Sequence, residues 1–147
     1  MDGPLVAGVD VGGTNIEVGL VGADHTVRER AKANTPTGGP GAVLEVIAGL
    51  VDDLDEAPIA VGVGIPGVVH EGRVLTVPNL AGWHDPIDLG AELAERTGLP
   101  VALGNDANVG LLGEWLAGEV GHVVVDAGGA LCTCGRRGCA EGYAGRR

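Results

Sequence analysis

The chain has 147 residues and a net charge of −11, from 9 basic and 20 acidic side chains, so it is a poor partner for nucleic acid, which rewards basic surfaces. Its 45% hydrophobic and 20% charged content excludes a disordered polymer, and no apolar run approaches the roughly 20 residues of a membrane span. With two Trp, one Tyr and no Phe, the core must be built from Val, Leu, Ile and Ala.

In chain order, Leu5 to Val11 predicts a buried strand, Gly12-Gly13-Thr14-Asn15 a turn, and Ile16 to Val21 a returning strand. Thr26 to Ala33 is a third strand, and the Pro- and Gly-rich stretch from Thr35 to Gly41 is a loop. Val43, Val46, Ile47, Leu50, Val51 and Leu54 recur at helical spacing, which predicts an amphipathic helix over about 41–55. Ile59 to Ile65 is a strand stopped by Pro66-Gly67, and Val68 to Leu75 a hairpin broken at Glu71-Gly72. Asp85-Pro86 is expected to cap a helix running to Thr97, ended by Gly98. Pro100 to Leu103 is a strand, and Gly104-Asn105-Asp106 turns the chain into a helix carrying Val109, Leu112, Trp115 and Leu116. Alternating strands and helices behind a leading hairpin give the class α/β.

Two segments invite chemistry. Gly8-Val9-Asp10-Val11-Gly12-Gly13-Thr14-Asn15 puts an acid near a strand end and two glycines beside a hydroxyl. Backbone amides of such a turn can hold phosphate oxygens, and Asp10 could hold magnesium, although locally the turn need be no more than a hairpin. It is not the P-loop pattern. Asn105-Asp106 lies where a strand meets a helix, the place where α/β sheets put ligands. An Asp there can accept a proton from a sugar hydroxyl attacking a phosphoryl group. On local sequence alone a helix N-cap is the stronger interpretation.

The third segment is at the far end. Cys132, Cys134 and Cys139 are the only cysteines, and His122 lies ten residues upstream of the first. Three thiolates and an imidazole make a complete tetrahedral set for structural zinc. Gly135 and Gly138 relax the backbone between them. A redox pair or plain buried thiols are the alternatives, but Cys-x-Cys is not the redox spacing and three cysteines cannot all pair. Thiols arranged for metal, with no basic stretch ahead of the first apolar run, lead to an expectation of a cytoplasmic protein.

Taken in order, the Gly8–Asn15 segment, Gly64-Ile65-Pro66-Gly67, Pro78-Asn79-Leu80, Gly104-Asn105-Asp106-Ala107-Asn108, Glu119-Val120-Gly121-His122 and the cysteine loop resemble the ROK (repressor/ORF/kinase) sugar kinases, glucokinases especially. The resemblance spans nearly the whole chain. It implies an actin/hexokinase-like ATPase fold whose two lobes close over ATP with Mg2+ and a hexose, glucose first. Carried over by position, Asp106 would be the general base. Asn105, Gly67, Asn79, Glu119, His122 and Glu141 would contact the sugar, while Asp10, Gly12, Gly13 and Thr14 would serve the nucleotide and its metal. His122 would also join Cys132, Cys134 and Cys139 on zinc, which would fix its tautomer and orientation.

The chain departs from the family pattern at one place. Gly113-Glu114-Trp115-Leu116-Ala117-Gly118 runs directly into Glu119, where the family inserts a second phosphate loop of Gly-Thr-Gly-x-Gly-Gly type and the first strands of its second lobe. The family also continues past the zinc loop. The expected organisation is a largely complete N-terminal lobe over residues 1–118 and a zinc-binding remnant of the second lobe over 119–147. The expected activity is that of an ATP-dependent hexose kinase impaired by the missing loop. The alternatives are a non-catalytic zinc-bearing sugar-binding or interaction module and, less favoured with only four residues ahead of the first strand, a ROK transcriptional regulator. Homo-oligomerisation is left open.

Overall fold

The computed structural model describes residues 3–117, 128–132, 135, 137 and 138. Strict alternation sets the first strands: β1 (Val6–Val11) turns Ala7, Val9 and Val11 inward, and β2 (Asn15–Val21) adds Ile16, Val18 and Leu20. β3 (Val27–Asn34) follows as an edge strand carrying Arg28, Glu29, Arg30 and Lys32, charges that discourage further pairing. Lys32 meets Glu17 across the sheet at 3.1 Å, a solvent-exposed pair worth little.

The remaining elements are α1 (Pro40–Asp52), β4 (Ala60–Ile65), β5 (Val68–His70), β6 (Arg73–Thr76), α2 (Leu89–Thr97), β7 (Val101–Asn105) and α3 (Asp106–Ala117). The main sheet has the order β3-β2-β1-β4-β7. Its first three strands form an antiparallel meander, while β4 and β7 run parallel to β1. Parallel neighbours need crossovers, which α1 and α2 supply. α1 buries Val43, Leu44, Ile47 and Val51 and α2 buries Leu89 and Leu93, so both helices cover the face that holds Ala7, Val9 and Val11. Each fully buried Leu, Ile or Val contributes roughly 1.5–3 kcal/mol. The aliphatic core expected from composition is the one observed. β5 and β6 make a separate hairpin, broken as expected at Glu71-Gly72.

α2 begins later than the sequence suggested. Ile87 exchanges both backbone hydrogen bonds with Val74, at 2.8 and 2.9 Å, which holds residues 85–87 out of the helix. The cap is therefore Asp88, whose carboxylate accepts from the Ala91 N–H at 3.1 Å, and not Asp85. Gly98 ends α2 in the left-handed conformation, as expected. α1 stops at Asp52, short of the expected 55.

The chain falls into two compact units, Met1–Ala107 and Asn108–Arg147. In the second, the described residues beyond α3 form a tight turn: the Gly135 N–H donates to the Cys132 carbonyl at 2.9 Å and the Gly138 N–H to Ala130 at 2.8 Å, with Leu131 bridged to Arg137.

Candidate functional site

The parallel strands end together, and the register lines up what they carry. Asp10 lies opposite Glu17 on one side and Gly64 on the other, and Gly64 lies opposite Gly104. Asp10 is on the sheet face turned away from α1 and α2. One step past Asn105, the chain enters α3 at Asp106.

Gly64 makes this junction possible. A Cβ there would sit 3.4 Å from the Cα of Asp106 and 3.7 Å from its Cβ, so the bare backbone lets Asp106, where α3 begins, settle against β4. Two carboxylates are thereby brought near each other. Burial, then the charge of Asp106, then that of Glu17 push the Asp10 carboxyl above the ordinary aspartate range.

Asn105 is the bracket of the site. Its Nδ2 donates to the Gly67 carbonyl at 2.7 Å, and its Oδ1 accepts from the Ala107 N–H at 3.1 Å. The second bond is an N-cap, so Asn105 caps α3. Asp106 accepts from the same Ala107 N–H at 2.8 Å. The sequence left cap and base competing for Asp106; the structure gives the cap position to its neighbour. Gly67 has φ +140°, and a Cβ there would run into the Thr76 carbonyl oxygen. Only glycine suits that turn.

The β1–β2 turn is closed by the Gly12 N–H donating to the Asn15 carbonyl at 2.8 Å, with Gly13 and Thr14 exposed at its tip. Exposed Asn79 is adjacent, since a Cβ on Gly13 would lie 3.9 Å from its carbonyl oxygen. The structure thus gathers Asp10, Gly67, Asn105 and Asp106 at the strand ends, and Gly12, Gly13, Thr14 and Asn79 at the adjoining turn. Glu119, His122, Cys134, Cys139 and Glu141 lie outside the described residues.

Cys132 is described: its side chain is buried, and its carbonyl opens the tight turn. Gly135 and Gly138 have φ of +89° and +70°, left-handed conformations that suit a tight turn. Three thiolates and an imidazole suit zinc by their chemistry. Among the described residues no three His, Cys, Asp or Glu side chains are gathered to hold a metal by themselves.

Sequence reasoning passed over Thr35, whose hydroxyl donates to the Gly12 carbonyl at 2.7 Å and whose N–H donates to the Thr14 carbonyl at 2.9 Å. A Thr inside a Pro-rich loop carries no local signal of that contact. Glu17, which faces Asp10, was equally hidden, because register is not visible in one strand.

The ROK family model matches residues 6–116 and, as a second segment, 111–147. The chain belongs to the ROK family. Among its relatives, a glucokinase of Thermotoga maritima is 36% identical over 179 aligned positions, covering 93% of this chain and 56% of the relative. An N-acetylmannosamine kinase of Escherichia fergusonii is 30% identical, covering 95% of this chain and 60% of the relative. The crystal structure of a ROK family glucokinase from Streptomyces griseus in complex with glucose and AMPPNP superposes with a TM-score of 0.70 at 30% identity, covering 95% of this chain and 57% of that one. The α/β fold with its mixed sheet is therefore that of the ROK hexokinases, the actin-like ATPase fold. This chain spans a little over half the length of the relatives it matches. The Thermotoga alignment is longer than the 147 residues present, so that relative carries residues where this ROK chain has none. The two family matches overlap at residues 111–116.

Proposed function

We propose that this chain is a shortened ROK sugar kinase, built to phosphorylate a hexose from ATP and slowed by the absence of its second phosphate loop. The observation that carries the proposal is the Asp10–Asp106 arrangement at the ends of parallel strands, on a chain whose relatives are sugar kinases. Glucose is the first candidate substrate, because the Thermotoga and Streptomyces griseus relatives are glucokinases; N-acetylmannosamine is the second.

In this proposal Asp106 accepts the proton of the sugar hydroxyl as its oxygen attacks the γ-phosphorus, and the bond to the ADP oxygen breaks in line. Asn105 holds the first turn of α3 and the Gly67 turn in one frame, so the base and the sugar-side turn keep a fixed separation. By the family resemblance, Asn79, Glu119, His122 and Glu141 are the further candidates for sugar contact. Exposed Gly13 and Thr14 offer backbone N–H groups to phosphate oxygens. Asp10, strained by neighbouring negative charge, gains most from a divalent cation, and Mg2+ would there neutralise charge on the phosphates. Zinc on His122, Cys132, Cys134 and Cys139 would orient the His122 ring and take no part in bond making. Residues 1–118 form the N-terminal lobe in this account, and residues 119–147 the remnant of the second.

The restart of the family match at 111–116, with a relative that carries residues this chain does not, favours one rival, a zinc-bearing sugar-binding module without catalysis. Titration calorimetry separates the two. The kinase proposal expects glucose binding and weak but measurable binding of magnesium AMPPNP. Glucose binding with no nucleotide binding supports the rival.

A further inference from the structure

We infer that Thr35 is a positioning residue that sets the orientation of the Gly12-Gly13-Thr14 turn. Its two hydrogen bonds, 2.7 Å from the hydroxyl to the Gly12 carbonyl and 2.9 Å from the N–H to the Thr14 carbonyl, grip both ends of the tip. A trans peptide is planar, with its C=O and N–H pointing in opposite directions. Fixing the Gly12 carbonyl toward Thr35 therefore aims the Gly13 N–H the other way. For an anion this distinction decides binding, because an amide turned inward presents a repelling carbonyl in its place.

Among the described residues, the tip has little else to hold it. Gly12 and Gly13 have no side chains, Gly13 and Thr14 are exposed, and the closing Gly12–Asn15 bond constrains the base of the turn, not the Gly12–Gly13 peptide plane. Thr35 is well placed to supply the missing constraint. It is half-buried, continues the β2–β3 ladder by one step, and starts a loop anchored at its other end, where buried Gly39 backs onto the Gly82 carbonyl. A β-branched residue at this position is also limited in χ1, so its hydroxyl is held on target.

The test compares Thr35→Val, which keeps the shape and the N–H bond but deletes the hydroxyl, with Thr35→Ser, which keeps the hydroxyl. Two readouts are taken: the 15N heteronuclear NOE of Gly13 in the free protein, and the affinity for magnesium AMPPNP. Only the second rests on the kinase proposal. Thr35→Val should lower the Gly13 NOE and weaken AMPPNP binding about five- to tenfold, the effect of one hydrogen bond, with glucose affinity unchanged. Thr35→Ser should restore both. An unchanged Gly13 NOE in Thr35→Val, or the same loss in Thr35→Ser, overturns the inference. If wild type bound no AMPPNP, the kinase proposal would fall while the NOE comparison still decided the role of Thr35.

Discussion

Asn105→Ala removes both bonds of the bracket between β7, α3 and the Gly67 turn. The lost cap at the Ala107 N–H costs about 1 kcal/mol. The part-buried Gly67 carbonyl loses its 2.7 Å partner, at about 1–3 kcal/mol. The two share one side chain and do not simply add, so the expected loss is about 2–3 kcal/mol. Urea unfolding followed by far-UV circular dichroism should show a lower midpoint with an unchanged m-value. Asn105→Asp refines the assignment. An introduced carboxylate still caps Ala107, but it faces the Gly67 carbonyl with no proton to give. Repulsion there and from Asp106 would raise its pKa in the folded state, so the variant should be weakened at neutral pH. The deficit should shrink as the pH falls and the carboxyl regains a donor. A loss below about 0.5 kcal/mol in Asn105→Ala, or a deficit in Asn105→Asp that does not change with pH, would refute the bracket, since exposed substitutions alone reach that size.

Gly67→Ala, which forces a Cβ against the Thr76 carbonyl at a positive φ, should lower stability by more than 1 kcal/mol and weaken glucose binding in calorimetry. The folded-state pKa of Asp10 is raised, so the folded chain binds more protons than the unfolded one above the ordinary aspartate value, and stability falls as pH rises through that window. Asp10→Asn should therefore raise the thermal midpoint at pH 7, with the gain vanishing below about pH 4, while metal-dependent nucleotide binding is lost. Zinc should be near-stoichiometric by elemental analysis of protein purified without chelator, and Cys134→Ser should lose it; full retention would remove His122, Cys132, Cys134 and Cys139 as the ligand set.

Much of the fold was legible because β1 and β2 alternate cleanly and α2 ends on Gly98. Ala7, Val9 and Val11, and then Ile16, Val18 and Leu20, announce a two-sided hairpin from sequence alone. The start of α2 was hidden for a tertiary reason: Asp85-Pro86 is a good local start signal, and only the backbone pairing of Ile87 with Val74 overrides it. The site was legible where glycine and acid stand in one short motif, as at Asp10 to Thr14 and Asn105-Asp106. It was not legible where function depends on which strands pair. Nothing in Gly64 alone shows that it makes room for Asp106, and nothing in Thr35 alone shows that it reaches Gly12.

The central claim, that Asp106 is a catalytic base in a ROK sugar kinase, is tested most directly by long incubation with ATP, Mg2+ and either glucose or N-acetylmannosamine, followed by mass spectrometry for sugar phosphate. The wild-type chain should form product slowly. Asp106→Asn should lower the rate by about 10²–10⁴-fold, the usual contribution of a positioned base. It should also leave the urea midpoint nearly unchanged, because the Asn105 cap remains in place. Product formation by Asp106→Asn at the wild-type rate would contradict the account.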